Sequence, residues 1–114
     1  MLMEGLRIRA AEGAWTVLAG DAVIGESARA LELFEPDLPP VIYFPREDLA
    51  MALLDPSETT STCPIKGAAE HFHIASVHGP IRDACWSYAS PSPEAERISG
   101  HIAFARNKVT LLQG

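Results

Sequence analysis

Turn-forming residues divide this chain into short segments, and no other feature of the sequence restricts its fold as much. Nine prolines and eight glycines are spread over 114 residues, and both residue types interrupt regular structure. No long helix fits between these breaks. The intervening stretches are rich in β-favouring residues, as in Val41-Ile42-Tyr43-Phe44. The pattern predicts an all-β fold, mainly strands with one or two short helical turns.

We expect roughly eight or nine short strands, arranged as a small barrel or as two packed sheets. Residues 27–35 suit either a strand or a short helix, and we favour a strand because a proline follows. A tight reversal at Arg106-Asn107 predicts that the last two strands form a hairpin. Short helical turns are expected at residues 45–51 and 94–99, whereas Asp55-Pro56-Ser57 predicts a turn. The expected strands cover residues 6–10, 15–19, 22–24, 27–35, 41–44, 71–77, 81–86, 101–105 and 108–112.

The composition indicates one domain over residues 1–114 with an ordinary apolar core, since 47% of the residues are apolar. A chain of this size folds without a disulfide or a structural metal. The formal net charge of −6 argues against nucleic-acid binding, which needs clustered Lys and Arg. No apolar run reaches the roughly 18 residues of a membrane span, and the N-terminus does not resemble a secretory leader. We therefore expect a cytoplasmic protein without a cofactor, with Cys63 and Cys85 as free thiols.

Reactive side chains are most closely spaced in residues 60–67, Thr-Ser-Thr-Cys-Pro-Ile-Lys-Gly. We call these residues the central segment and expect them to be irregular. Cys63 and Lys66 stand three residues apart, so the ammonium group can lower the thiol pKa and favour the reactive thiolate. Lys66 and Gly67 together with Arg46 also form a minimal site for a phosphate or carboxylate. The alternative is a structural corner, in which Cys63 is a small apolar side chain of the core.

A second interpretation is open for Arg46. Its guanidinium group either binds an anion or forms a buried ion pair with Asp48 or Asp55, which would tie a helical turn to the sheet. This possible anion site is not a Walker-type phosphate loop, because the chain has no G-x-x-x-x-G-K-[ST] motif between a strand and a helix.

Trp86 and Tyr88 alternate along one predicted strand and therefore face the same side of its sheet. They either fill the core or line a ligand pocket beside the central segment. His71 and His73 likewise share one face of a strand, about 7 Å apart, a spacing that metal sites use. We expect this pair to face solvent, because paired C-x-x-C knuckles are missing, and we assign no metal site.

The sequence contains three motifs in a fixed order: Pro45-Arg46-x-Asp48, Thr62-Cys63-Pro64-x-Lys66-Gly67 and Ala84-x-Trp86-x-Tyr88. In this order and at this spacing they resemble the bacterial domain of unknown function family 427, which is also labelled a nucleotidyltransferase-type domain. The resemblance covers about residues 14–110. It implies a compact β-domain similar to the tent-like architecture of the Mss-four and methionine sulfoxide reductase B group, and it implies little about a reaction. The chain differs from the family pattern at Ile65 and Ala105, where aromatic residues are usual.

Our first hypothesis is a small-molecule or anion site at the central segment, with a thiol and an ammonium group as the reactive pair. Its ligand would be a small anionic molecule held by a cation and walled by aromatic rings. The predicted site consists of the catalytic residues Cys63 and Lys66 and the binding residues Arg46, Asp48, Gly67, Trp86 and Tyr88.

Two other functions compete with this hypothesis. The first is a non-catalytic structural or protein-interaction module, for example one that forms a homodimer. The second is nucleotidyl transfer, as the family label suggests. That reaction normally needs carboxylates that converge on magnesium, for which Asp48, Asp55 and Asp83 are the candidates.

Overall fold

A computed structural model describes residues 5–114, which form ten strands and three short 3-10 turns. The prediction of a mainly β fold is therefore confirmed. The strands are β1 (Arg7–Ala10), β2 (Trp15–Ala19), β3 (Ala22–Ser27), β4 (Leu31–Phe34), β5 (Val41–Phe44), β6 (Leu54–Cys63), β7 (Gly67–Ile74), β8 (Ile81–Ser87), β9 (Ile102–Phe104) and β10 (Thr110–Gln113). The 3-10 turns are Arg46–Asp48, Met51–Leu53 and Pro93–Ile98.

The strands form two antiparallel sheets. The large sheet has seven strands in the order β1-β4-β5-β9-β8-β7-β6, and the small sheet has three in the order β10-β2-β3. Within residues 5–114 neither sheet closes into a barrel, so the two-sheet alternative of the prediction is the correct one.

The main hydrophobic core lies between the two sheets. Alternate residues of the large sheet, such as Phe44, Phe72 and Phe104, pack against Val17 and Ile24 of the small sheet. The rings of Phe44 and Phe104 meet edge to face, with centroids 5.6 Å apart. Since successive residues of a strand point to opposite faces, the residues between them lie on the other side of the large sheet.

We call that other side the outer face. A second cluster of buried residues lies there, including Leu33, Tyr43 and Tyr88. The 3-10 turn Pro93–Ile98 covers part of this cluster with the side chains of Ala95 and Ile98. The outer face is the surface on which most of the predicted site residues are found.

The central segment is more regular than we predicted. Residues 60–63 belong to β6, Gly67 begins β7, and only residues 64–66 form the turn between them. The predicted turn at residues 55–57 is also wrong, because these residues lie within β6. This strand is at the edge of its sheet, where proline is tolerated, and its register shifts between Pro56 and Thr60.

One other local prediction is wrong. The chain does reverse at Arg106-Asn107, but β9 pairs with β5 and β8 in the large sheet while β10 pairs with β2 in the small one. The helical turn expected at residues 45–51 takes the form of two 3-10 turns, with Leu49 and Ala50 between them. Leu49 is extended, with φ −118° and ψ 151°, and forms an isolated bridge with Gly25 of β3.

Candidate functional site

The turn between β6 and β7 is fixed at both ends. Cys63 and Gly67 face each other as the last pair of the hairpin, and Gly67 has φ 110°, in the left-handed region that glycine tolerates best. Ser92 holds the turn from outside: its backbone N–H donates to the Lys66 carbonyl at 2.9 Å, and its hydroxyl donates to the Ile65 carbonyl at 2.6 Å. The backbone of this turn is therefore held in place by hydrogen bonds from a distant part of the chain.

Lys66 is a buried cation. The residue is 8% exposed, its Nζ donates to Glu35 Oε1 at 2.5 Å, and the same atom lies 5.8 Å from the centre of the Tyr88 ring. Burial alone would lower the pKa of Lys66, but the hydrogen bond to Glu35 and nearby negative charge outweigh it, so the pKa is raised. Lys66 therefore keeps its proton at neutral pH and does not act as a general base there.

The two cysteines occupy different environments. Cys63 is half-buried and packs against the outer-face cluster, and it precedes Lys66 by three residues. Cys85 is fully buried in the core between the sheets, and this burial raises the pKa of its thiol to about 12. Both thiols are free, as the sequence predicted. Because they lie on opposite faces of the large sheet, they are not placed to form a disulfide.

Three aromatic side chains extend the site along the outer face. Tyr43 and Tyr88 are buried, and burial raises the pKa of both hydroxyls. The indole N–H of Trp86 points to the Tyr43 hydroxyl at 3.4 Å. Trp86 is half-buried, so it is the aromatic ring that a ligand on this face can reach most directly.

Arg46 does not join this group. Its Nε donates to the Gly100 carbonyl at 2.5 Å, and its terminal nitrogen lies 3.2 Å from Ser87 Oγ and 3.4 Å from Glu70. Ser87 follows Trp86 directly on β8, so its side chain points away from the outer face. The structure thus separates Arg46 from Lys66, and Arg46 pairs with Glu70 in place of the two aspartates that we considered.

Asp48 is likewise used within the protein. Its carboxylate accepts hydrogen bonds from the Ser27 hydroxyl at 2.6 Å and from Arg29 at 3.0 and 3.3 Å. The hydrogen bonds from Arg29 and Ser27 lower the pKa of Asp48. These contacts join the turn Arg46–Asp48 to the end of β3, a strand of the small sheet.

We expect Asp48→Asn to reduce stability at pH 7 and to have much less effect in acid. The pKa of Asp48 is lower in the folded than in the unfolded protein, so its carboxylate stabilises the fold above the unfolded value, 3.8. This stabilisation is lost as the pH falls through the folded value. Urea unfolding at pH 7 and pH 3 measures the difference, with the exposed neighbour Glu47→Gln as the control. An equal loss of stability at both pH values would show that the ionised Asp48 carboxylate is not the cause of the loss.

The sequence did not reveal a polar network on β6, β7 and β8. Asp83 accepts hydrogen bonds from Ser57 at 2.6 Å and Thr59 at 2.9 Å, which lower its pKa, and its backbone N–H donates to His73 Nδ1 at 2.9 Å. His71 Nε2 lies 2.8 Å from Ser61 Oγ. Within residues 5–114, no three His, Cys, Asp or Glu side chains are grouped so as to hold a metal ion. Two of the carboxylates considered for nucleotidyl transfer have separate partners, Asp48 in Ser27 and Arg29, and Asp83 in Ser57 and Thr59.

His71 is also out of reach of Cys63. Cys63 is opposite Gly67, and His71 lies four residues further along β7, about 13 Å along the strand. The histidine therefore does not serve as the base for this thiol.

Cys63 lines none of the three best-formed grooves in residues 5–114. Two of these, of about 470 and 370 Å³, flank Phe34 at the β1 edge, and the larger of the two reaches Glu35. The third, of about 810 Å³, lies beside the connection between β7 and β8. Their positions could not be inferred from sequence, because each is formed by segments that are distant along the chain.

Comparison with known proteins identifies the family. Residues 7–113 match the family described as Domain of unknown function (DUF427). No curated protein matches the chain. No helix in residues 5–114 has the length and apolar character needed to cross a membrane. Since the match covers nearly the whole chain, the protein belongs to the DUF427 family.

Proposed function

We propose that this domain binds a small molecule on its outer face beside the β6–β7 turn, and that the Cys63 thiol is the group that reacts with it. The observation that carries the proposal is a half-exposed thiol at the end of β6, followed by a three-residue turn that holds a buried ammonium group. Chemistry of the thiol-transfer type suits this arrangement, because the sulfur of a half-exposed cysteine is an accessible nucleophile.

The other members of the site have supporting roles in this proposal. Lys66 remains protonated and supplies positive charge, while Glu35 balances part of that charge. Tyr88 lies beneath the ammonium group, and Trp86 offers an exposed ring surface on the same face. Gly67 shapes the turn. Arg46 and Asp48 are outside this site, since their polar groups are occupied by contacts elsewhere in the fold.

The proposal is tested by alkylation of the native protein with iodoacetamide between pH 5 and 9, read by peptide mass spectrometry. We expect Cys63 to react in the folded state and Cys85 to react only after denaturation, because Cys85 is fully buried and has a thiol pKa of about 12. If both cysteines stay inert until denaturant is added, the thiol site is refuted and the interaction module becomes the better hypothesis.

Two variants separate the effect of charge from that of exposure. Lys66→Met should slow the reaction of Cys63 at pH 7, because it removes the positive charge beside the reacting sulfur. Glu35→Gln should accelerate it, because the charge of Lys66 is no longer balanced. Glu70→Gln is the matched control: this carboxylate pairs with Arg46 on the opposite face and should leave the rate unchanged. Equal rates in all four proteins would contradict the role of Lys66.

A further inference from the structure

The groove of about 810 Å³ lies at the open end of the two-sheet core. It is bounded by the β2–β3 turn at residues 19–22, by Leu53, and by the β7–β8 connection at residues 75–81. Its volume falls in the range of small-molecule sites, about 300 to 1,000 Å³. Cys63 and Gly67 are at the opposite end of β7, so this groove is separate from the proposed thiol site.

The inner wall of the groove is apolar and belongs to the main core. Leu53 and Ile81 are partly buried and pack against that core. Val77 stands at the rim and is 95% exposed, so its apolar side chain contributes almost nothing to the folded protein itself. A ligand in the groove would cover these three side chains together.

The β7–β8 connection is ordered by its own hydrogen bonds. Ser76 Oγ donates to the Gly79 carbonyl at 2.6 Å and accepts from the backbone N–H of His78 at 3.2 Å. Gly79 adopts φ 101°, as this tight path requires. The rim is therefore organised without a ligand, which reduces the entropic cost of binding.

The charge of the groove selects the ligand. Among the residues of 5–114 that line the groove, Asp21 is the only acidic one, His78 is the other ionisable one, and none is Lys or Arg that could meet an anion. We propose that the groove binds a small amphipathic amine, whose ammonium group meets Asp21 and whose apolar body covers Leu53, Val77 and Ile81. Binding of an apolar body removes the apolar surface of these side chains from water, which is favourable. The net charge of −6 also attracts a cationic ligand to the protein.

Three probes with the same apolar body but different head groups test this inference: 4-phenylbutylamine, 4-phenylbutanol and 5-phenylpentanoate. Each is titrated into uniformly ¹⁵N-labelled protein, and binding is followed by the amide chemical shifts of residues 19–22 and 75–81. We expect the amine to bind most tightly, the alcohol less tightly and the carboxylate least. The readout needs no enzymatic activity and no reaction of Cys63.

Three exposed positions provide variants that should fold normally. Asp21→Asn should weaken the amine about two- to fivefold, the range of an exposed ion pair, and leave the alcohol unchanged. Asp37→Asn makes the same change in net charge outside the groove and should leave all three probes unchanged. Val77→Ser should weaken all three about fivefold, because it removes apolar surface that the common body covers.

The inference is overturned if saturating probe shifts no amide in these two segments. It is also overturned if the carboxylate binds as tightly as the amine, or if Asp37→Asn weakens the amine as much as Asp21→Asn does. The last result would mean that the amine responds to net charge and has no specific partner in the groove.

Discussion

Lys66→Met is expected to lower the free energy of unfolding by about 3 kcal/mol at pH 7. The variant leaves Glu35 without its partner at a position where its side chain is 14% exposed, and an unpaired buried charge typically costs about 3 to 5 kcal/mol. We use the lower end of this range because neither side chain is completely buried. Urea unfolding followed by tryptophan fluorescence measures the loss.

The double variant Lys66→Met with Glu35→Leu is the control for this prediction. It removes both charges and should recover most of the lost stability, since an apolar pair is often as stable as a buried ion pair. A double variant as unstable as the single one would show that the loss comes from packing of the lysine stem.

The same pair predicts how the difference between wild type and Lys66→Met changes with pH. The pKa of Lys66 is raised above its ordinary value of 10.5 in the folded protein. Its contribution is therefore complete below 10.5 and is lost as the pH rises through the folded value. The stability difference should stay constant from neutral pH to about pH 9 and shrink only in strong alkali.

Gly25→Ala is expected to cost about 2 kcal/mol or more, although it adds a single methyl group. A Cβ atom at Gly25 would overlap the Asp48 carbonyl oxygen and crowd the backbone of Leu49. These neighbours are held by the Gly25–Leu49 bridge and by a hydrogen bond of 2.8 Å from the Ala50 N–H to the Ile24 carbonyl. Overpacking against a fixed backbone typically costs about 1 to 3 kcal/mol. Thermal and urea unfolding measure the effect.

Gly20→Ala is the matched variant for this second prediction. Gly20 has φ 61°, and no atom lies within 4 Å of a Cβ placed there, so the substitution adds backbone strain of about 1 kcal/mol without a steric overlap. If Gly25→Ala is no more destabilising than Gly20→Ala, the close approach of the two backbones is not what requires glycine at residue 25.

The strands were predictable because their signals are local. Val41–Phe44 and Ile81–Ser87 are runs of β-favouring residues between turn residues, and both form strands near the predicted bounds. The pairing of β9 and β10 was not predictable, because a tight reversal does not determine whether the two strands stay in one sheet. Their partners are set by packing against strands that lie far away in the sequence.

The candidate site shows the same division between local and long-range information. Their spacing in the sequence is enough to place Cys63 and Lys66 at the same end of one hairpin. Glu35 was missed because 31 residues separate it from Lys66 and no motif links them. Arg46 was grouped with Lys66 by charge alone, and sequence gives no information on which face of the sheet each cation occupies.

The pairing of β10 with β2 has a consequence for the synthesis of the protein. Trp15 and Gln113 are direct partners in the small sheet, which covers one side of the core. That sheet lacks one of its edge strands until residue 113 has left the ribosome. The domain therefore completes its fold after translation of this segment, and nascent chains would expose apolar surface until then. Such long-range closure also favours slow folding, which makes chaperone contact during synthesis an advantage for this small domain.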